Sequence, residues 1–334
     1  MKHKLRITAV LGTIALLILD SRTAIQGAEE GLQLCLHTLI PSLFPLIFAT
    51  NLLLPCLSHF SNRDKLLCRL YHIPDGSPGL LLTGLLGGYP VGARAVRQAS
   101  ADGQISTAAA QRMEIFCNAC GPAFIFGIGF RLFSNSYIPW VAWAIHILSG
   151  LLTAQFIPAG SDQKSCNPTL PDVTVQEGLH RSLRSMAQIC SWVMILRVLI
   201  RLLEKWLLWC LPPLMQLICI GLLELSNGCT SLSNLQGEAL RFIFFSGFVG
   251  FGGVCVGLQS IDISQKDNSY LYFPGKILQC NISILLAGII SFFFFGFESN
   301  ILAMVATSGI LIPICVFWLR KTQNKGRILS AVGV

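Results

Sequence analysis

Residues 79–94 read GLLLTGLLGGYPVGAR, and this stretch decides how the fold is interpreted. The apolar run stops at Gly87-Gly88-Tyr89-Pro90 after about ten residues, half of what an α-helix needs to cross a bilayer. The chain then becomes polar over 98–107. A short apolar arm of this kind is typical of a re-entrant hairpin, which enters and leaves the membrane on one side. We predict such a hairpin over about 79–104; a surface loop is the alternative, but the apolar arms that flank the tip favour the membrane.

The composition of the whole chain is that of a polytopic membrane protein. Of its 334 residues, 53% are hydrophobic and only 12% are charged, whereas soluble domains carry about 25% charged residues. The mean hydropathy is +0.64. Apolar runs of about 18 or more residues recur, without the period-two alternation of a barrel. We therefore predict an all-α protein with about eight transmembrane helices plus two re-entrant hairpins in inverted repeats.

The net charge of +8 indicates membrane orientation rather than nucleic-acid binding. Basic residues cluster at the ends of apolar runs, in 58–77 and in the C-terminal tail, which favours a cell-membrane protein with both termini in the cytoplasm. Three basic residues do not fit this orientation, because the predicted topology puts them on the side of the membrane away from the cytoplasm. They are Arg197, Arg201 and Lys205. They lie four residues apart, which fits a stripe that snorkels to one interface.

Two parts of the chain show the same order of a helix, a hairpin and a broken helix. Short identities support the parallel: Glu30-Gly31-Leu32 matches Glu177-Gly178-Leu179, and Gly84-Leu85-Leu86 matches Gly221-Leu222-Leu223. An odd number of predicted crossings separates the copies, so the repeats are expected to be inverted.

The predicted segments are, in chain order, an N-terminal transmembrane helix (1–27), a first repeat (28–160) with a hairpin (about 79–104) and a broken helix (about 107–133), a polar loop (161–176), a second repeat (177–300) with a hairpin (about 206–236) and a broken helix (about 237–258), and a last transmembrane helix with a basic cytoplasmic tail (301–334).

Interrupted segments at matching places in two halves are typical of the binding site of a secondary transporter. A break leaves N–H and C=O groups unpaired, which a solute or ion can fill, and the N-terminal end of the second half-helix suits an anion. Gly121-Pro122 is the sharpest case, because glycine permits the break and proline loses no useful N–H at a helix start. Asn118 adds a donor and an acceptor. A proline kink in a packed helix is the alternative.

Two charged residues lie close to the predicted tips. Arg94 follows Pro90 by one helical turn, and its planar fork suits a carboxylate. Alternatively, Arg94 and Arg97 mark the cytoplasmic end of the arm. Glu224 lies at the tip of the second hairpin and is the candidate for coupling to a cation or a proton; an interfacial glutamate is the alternative.

The second tip and the second break supply small and polar candidates for solute binding. Glycine-rich helix packing is the alternative at the break. The residues are Ser226, Asn227, Gly228, Ser246 and Gly250. No Walker loop, zinc motif or nucleotide fingerprint has the required strand and helix context, so we expect no enzyme, no cofactor and no metal site.

Two motifs in the first half resemble a known family. Gly87-Gly88-Tyr89-Pro90-Val91-Gly92-Ala93-Arg94 and Phe116-Cys117-Asn118-Ala119-Cys120-Gly121-Pro122-Ala123-Phe124-Ile125 resemble the sporulation integral membrane proteins with a nucleoside-recognition "Gate" domain. The match is strongest over about 80–160, and the second half is less typical. The resemblance assigns solute binding to Tyr89, Pro90, Gly92, Arg94, Asn118, Gly121 and Pro122.

That resemblance implies a fold similar to concentrative nucleoside transporters, in which two hairpins and two broken helices form a transport domain. It also implies a role in moving dipicolinate across the outer forespore membrane. Dipicolinate is a planar aromatic dianion, which would suit helix N-termini, Arg94 and stacking on Tyr89.

Three functions remain open at this stage. The first is a secondary transporter of dipicolinate or a related small anion, and the second is a nucleoside transporter. The third is a membrane partner in an assembly that transports nothing itself. The expected partners are the lipid bilayer, a small-molecule solute and a coupling cation or proton; a homo-oligomer is an alternative to a monomer.

Overall fold

A computed structural model describes residues 2–61, 65–157, 173–263, 271–296 and 299–332. The described residues form helices and no strand. The helices are α1 (Lys2–Leu19), α2 (Ser21–Leu34), α3 (Ile40–Ser61), α4 (Lys65–Tyr71), α5 (Pro78–Gly87), α6 (Val91–Ala101), α7 (Thr107–Cys117), α8 (Pro122–Leu132), α9 (Ile138–Phe156), α10 (Val175–Trp206), α11 (Pro213–Leu223), α12 (Leu225–Ser231), α13 (Glu238–Phe251), α14 (Gly253–Ile263), α15 (Tyr272–Phe295) and α16 (Ser299–Val332).

Seven stretches of the described chain are long and apolar enough to span a membrane, against the eight predicted. They are Ser21–Leu53, Thr107–Leu132, Ile138–Phe156, Val175–Trp206, Glu238–Ser260, Tyr272–Phe295 and Ser299–Thr322. The difference lies at the N-terminus. The helix predicted at 1–27 ends at Leu19, and only Val10–Leu19 of it is a short apolar helix. A new helix begins at Ser21 and continues into the first span.

A π-helical turn, Cys35–Leu39, joins α2 to α3 directly before Pro41. Proline has no N–H, so it cannot donate to the carbonyl of residue 37 one turn earlier. Arg131 Nη1 donates to that His37 oxygen at 3.0 Å instead. The long helix therefore continues past a proline because a neighbouring helix supplies the missing donor.

Helices α2, α3 and α10 form a three-helix unit, here called the scaffold. Asp20, next to the start of α2, accepts from Lys205 Nζ at 2.8 Å, and Asn51 of α3 donates to Ser182 Oγ at 2.8 Å. These contacts show that α10 runs antiparallel to α2 and α3. We call the two ends of the scaffold the Lys205 end, where α2 begins, and the Ser182 end, near Asn51 of α3. The helices approach closely at Gly27, where a Cβ would lie 2.8 Å from Val198 Cα.

The basic stripe that disagreed with the predicted topology is neutralised by acidic residues. Arg197 and Arg201 lie 2.6 and 2.8 Å from the carboxylate of Glu30, and Arg201 also lies 3.1 Å from Glu204. Lys205 pairs with Asp20. Because each base has an acidic partner, the stripe adds little net charge to the Lys205 end.

Two short helix pairs have the same construction. In the first pair, α5 and α6, a Cβ on Gly92 would lie 2.6 Å from Gly84 Cα. In the second pair, α11 and α12, a Cβ on Gly228 would lie 2.2 Å from Gly221 Cα. Glycine is required at these contacts because the two arms of each pair meet backbone to backbone near the turn.

Arg112 of α7 fastens the first half of the bundle. Its guanidinium donates to three carbonyl oxygens, those of Ile157 at 3.1 Å, His72 at 2.8 Å and Ala154 at 2.7 Å. It also lies 5.3 Å from the ring centroid of Phe116. Hydrogen bonds made by a charged group are among the stronger ones in proteins.

We expect Arg112→Met to lower the thermal unfolding midpoint in detergent by about 5 °C or more, because buried carbonyls lose their donors at about 1–3 kcal/mol each. Arg69→Met is the control, since Arg69 is exposed on α4. Equal midpoints for the two variants would contradict a fastening role for Arg112.

Candidate functional site

Each short helix pair turns against a break in a longer helix. The first pair turns at Gly88, where a Cβ would lie 2.9 Å from Gly121 N, in the break between α7 and α8. The second pair turns at Glu224, and a Cβ on Gly253 would lie 3.1 Å from Leu225 N, in the break between α13 and α14. Both turns therefore contact backbone groups at a helix break, and in a continuous helix those groups would be hydrogen-bonded within the helix.

Tyr89 connects the first turn to the second break. Its hydroxyl lies 3.5 Å from the carbonyl oxygen of Val249, near the end of α13. A Cβ on Gly252 would lie only 2.5 Å from the same hydroxyl, so glycine is needed where the tyrosine crosses. Two turns and two breaks consequently meet in one region of the protein.

A cavity of about 70 Å³ lies in this region, here called the central cavity. Its scaffold wall is apolar and formed by α3 and α10, and its other wall comes from both turns, α8 and α14. The lining residues are Leu43, Ile47, Gly87, Gly88, Tyr89, Gly121, Ala123, Phe124, Ile189, Val193, Glu224, Leu225, Ser226, Cys255, Val256 and Gln259.

Glu224 is the acidic residue of this lining, and it caps α12. Its carboxylate accepts from Ser226 N at 3.0 Å, from Asn227 N at 2.6 Å and from Asn227 Nδ2 at 2.7 Å. These N–H groups have no acceptor within the helix, so the carboxylate satisfies them and is stabilised by the helix N-terminus. Across the cavity α8 begins at Pro122, and the amides of Phe124 and Ile125 donate to the carbonyl oxygen of Gly121 at 3.1 and 3.4 Å.

Side chains satisfy several of the polar groups at the first break. Asn118 Nδ2 donates to Ser260 Oγ at 2.6 Å and to Tyr272 Oη at 3.0 Å, while its Oδ1 has no partner. Cys120 N donates to His146 Nε2 at 3.0 Å. Buried polar groups need such partners because an unpaired one is costly in an apolar surrounding.

Two larger clefts follow the scaffold on either side of the central cavity. The first, about 540 Å³, separates α10 and α3 from the first helix pair; it is lined by Asn51, Thr83, Val91, Arg94, Ala95, Gln98, Glu177, His180, Arg181, Arg184 and Ser185. The second, about 400 Å³, separates α10 from the second helix pair; it is lined by Arg197, Arg201, Glu204, Pro213, Leu214, Gln216, Leu217, Ile220, Ser231, Asn234 and Leu235.

The structure brings several predicted residues to the central cavity and places others around it. Tyr89, Gly121, Glu224 and Ser226 line the cavity. Pro90, Gly92, Asn118, Pro122, Asn227 and Gly228 are the helix starts, caps and close contacts that shape its walls.

Arg94 lies in the first cleft, where its guanidinium donates to Gln188 of α10. Helix α6 leads away from the tip, so one turn of helix carries Arg94 out of the central cavity. The fork of this arginine therefore faces the first cleft, away from the lining of the central cavity.

Ser246 and Gly250 are not brought to the cavity. The second break lies after them, at Gly252, whose φ of +84° ends α13 in the left-handed region. Gly250 instead packs against α15, where a Cβ would lie 2.5 Å from Ser283 Oγ. Glycine-rich helix packing accounts for that position.

Sequence reasoning missed Cys255 and Gln259 of α14, which line the cavity, and Lys276 of α15, which is fully buried. Only residues 272–275 of α15 precede Lys276, too few for the sequence to distinguish burial from exposure at an interface.

Comparison with known proteins gives one similarity to report. The chain is 25% identical over 174 residues to the sporulation integral membrane protein YlbJ of Bacillus subtilis (strain 168). The alignment covers 50% of this chain and 43% of the relative, so the chain spans less than half the length of the protein it matches. No protein-family profile and no solved structure matches the chain. The protein is thus a multi-pass helical membrane protein that is similar to a sporulation integral membrane protein.

Proposed function

We propose that the protein is a secondary transporter of a small organic anion and that dipicolinate is its solute. The observation that carries this proposal is a row of three cavities along one face of the scaffold. The first cleft, the central cavity and the second cleft all lie between α10 and the helix pairs. A solute that followed this face would pass from one end of the scaffold to the other.

The opposite placement of the two clefts supports an inverted arrangement of the helix pairs. The first pair lies beside Ser185 and Asn51, at the Ser182 end of the scaffold. The second pair lies beside Arg197 and Arg201, toward the Lys205 end. Each pair then enters from its own side as a re-entrant hairpin, as inverted-repeat transporters require.

The size of the central cavity supports transport by alternating access. A volume of about 70 Å³ is far below the roughly 300–1,000 Å³ of a typical ligand pocket. The scaffold wall consists of Leu43, Ile47, Ile189 and Val193, which are apolar and form no hydrogen bonds with their side chains. Such a wall can slide against the turns at little cost in polar contacts, so we infer that the cavity opens to one cleft and then to the other.

The charge of the clefts favours an anion as the solute. The first cleft has Arg94, Arg181 and Arg184 against Glu177, whereas Arg197 and Arg201 of the second cleft are paired with Glu30 and Glu204. The excess of positive charge therefore lies in the first cleft. Basic clefts raise the local concentration of an anion. The N-terminus of α8 at the cavity adds partial positive charge through the helix dipole, and Tyr89 supplies a face for an aromatic ring.

A nucleoside is the second candidate solute. The central cavity itself is mostly apolar, and Glu224, Ser226 and Gln259 can form hydrogen bonds with a neutral molecule. The resemblance to Gate-domain proteins and to concentrative nucleoside transporters points in the same direction. The basic residues of the first cleft have no role in binding a neutral solute, and this difference separates the two candidates.

The cellular setting follows from the same proposal. The polar, basic stretch around Lys65 and Arg69 lies after α3, whose C-terminal part belongs to the Ser182 end. The positive-inside rule then puts the Ser182 end and the C-terminal end of α16 in the cytoplasm. Asp20 lies at the Lys205 end, so a cytoplasmic N-terminus requires α1 to cross the membrane as well. With dipicolinate as solute, the outer forespore membrane is the proposed location.

The proposal is tested with Arg94→Ala in proteoliposomes. Because Arg94 lies in the first cleft and not in the central cavity, we expect the KM for labelled dipicolinate to rise about 10-fold while the maximal rate changes little. Arg69→Ala is the matched control, an exposed arginine outside both clefts.

A rise in KM for dipicolinate but not for uridine supports an anion transporter. Uptake of uridine that is indifferent to Arg94→Ala, combined with no uptake of dipicolinate, would move the assignment to a nucleoside transporter. Uptake of neither solute by folded protein, with co-purification of a fixed partner, would favour the assembly role.

A further inference from the structure

Lys276 of α15 is a buried cation without an anionic partner in the described part of the chain. Its side chain is fully buried, and its Nζ donates to Gln279 Oε1 at 3.0 Å. Among the described residues, no carboxylate lies within 4.0 Å of the ammonium. An ammonium has three N–H donors, so one amide oxygen leaves most of its hydrogen-bonding capacity unused.

Two other bases inside the bundle have partners for their charge that Lys276 lacks, although one guanidinium nitrogen of Arg97, Nη1, has none. Arg97 forms a two-point ion pair with Glu114, at 2.5 and 3.0 Å. Arg112 has its three carbonyl acceptors. A lysine kept for structure alone would be expected to have similar partners, because an unpaired charge inside a membrane protein is costly.

Aromatic rings supply only part of the missing stabilisation. The Lys276 ammonium lies 5.7 Å from the ring centroid of Tyr89 and 6.0 Å from that of Tyr272. Cation–π contacts contribute about 0.5–2 kcal/mol each, and among the described residues the ammonium has one hydrogen bond, to Gln279 Oε1. Tyr89 also lines the central cavity, so this ring is the side chain that connects the cavity to the buried ammonium.

Two further unpartnered polar atoms belong to the same region. Asn118 Oδ1 has no partner, and the amide of this residue bonds the hydroxyl of Tyr272. His146 Nδ1 has no partner either, while its Nε2 accepts from Cys120 N. A neutral imidazole that accepts at Nε2 carries its proton at Nδ1, so His146 has a free donor available for an anion.

We propose that Lys276 is the cationic ligand for a carboxylate of the transported solute and that the Tyr89 ring covers it in this conformation. The inference rests on the proposed anion transport and deepens it. Among the described residues the hydroxyl of Tyr89 forms one hydrogen bond, of 3.5 Å, with Val249 O, so few polar contacts hold the ring in place. When the ring moves aside, the central cavity extends to the ammonium, and a carboxylate there completes its hydrogen bonding.

The test compares an acid with its matched amide in proteoliposomes. Uptake of labelled pyridine-2,6-dicarboxylate is competed with the unlabelled acid or with pyridine-2,6-dicarboxamide, which has the same shape without the charge. We expect the wild type to prefer the acid by about 100-fold and Lys276→Met to lose most of this preference. Lys276→Arg keeps the charge and should retain the preference.

Asn281→Leu is the control for loss of a buried polar group on the same helix. Asn281 bonds its own helix at Ile277 O and faces Cys315 of α16, so its replacement should leave the ratio of acid to amide unchanged. A purely structural role for Lys276 would change the amount of folded protein but not this ratio. If Lys276→Met does not fold, Lys276→Gln replaces it, and equal competition by acid and amide in the wild type overturns the assignment without any variant.

The outcomes distinguish a failure of the Lys276 assignment from a failure of the proposed anion transport. Wild-type protein that transports the acid while Lys276→Met keeps the full preference overturns the role of Lys276 alone. Folded wild-type protein that transports uridine but no acid overturns the anion transport itself and this assignment with it.

Discussion

Gly92→Ala is expected to reduce solute uptake to background. A Cβ at this position would lie 1.9 Å from Cys117 O and 2.6 Å from Gly84 Cα, and both are backbone atoms that cannot rotate away. The first helix pair would have to move off the break between α7 and α8, which displaces Gly88 and Tyr89 from the central cavity. Uptake in proteoliposomes, with the yield of monodisperse protein measured alongside, checks this expectation.

Gly309→Ala is the matched control. No atom lies within 4 Å of a Cβ built on Gly309, which is inside α16, so the substitution should leave uptake unchanged and stabilise the helix by about 1 kcal/mol or less. Gly228→Ala is expected to behave like Gly92→Ala, because its Cβ would lie 2.2 Å from Gly221 Cα in the second pair. Normal uptake by Gly92→Ala would show that close packing of the first helix pair against the break between α7 and α8 is not needed for transport.

Glu224→Gln is expected to abolish accumulation driven by a proton gradient while leaving exchange of labelled for unlabelled solute intact. The glutamine side chain keeps one oxygen for the amides that begin α12, so the cap is weakened but retained. It cannot take up a proton, so the coupling assigned to Glu224 is lost. Glu224→Leu should lose both activities, because α12 then has no cap at the cavity wall.

Accumulation under an inward proton gradient and counterflow without one are the two measurements. Glu29→Gln is the control, since Glu29 is an exposed carboxylate on α2. Undiminished accumulation by Glu224→Gln would exclude Glu224 as the coupling residue and reduce its role to capping the helix.

The sequence is sufficient to predict the helical fold class and the position of the first helix break. Apolar run length identifies membrane helices because the bilayer sets that length, and Gly121-Pro122 marks the start of α8 because these two residues have special backbone requirements. The second break was predicted over a longer stretch that included Ser246 and Gly250. Glycine at 250 serves contact with α15, and the left-handed turn is taken by Gly252 instead.

Other features depend on tertiary contacts that a linear pattern does not contain. Leu43 and Val193 line the cavity, yet they look like any lipid-facing residue of an apolar run. Arg94 is one turn from the tip, but the direction of α6 decides that it faces a cleft. Lys276 lies near the end of a hydrophobic run, where burial and interfacial exposure give the same sequence pattern.

The most direct measurement is saturable uptake of labelled dipicolinate by the purified protein in proteoliposomes, with unlabelled uridine as competitor. The account predicts uptake above empty liposomes that saturates, is insensitive to uridine and is lost in Gly92→Ala. Absence of uptake from protein shown to be folded, or uptake that uridine blocks completely, would contradict a transporter built for a small organic anion.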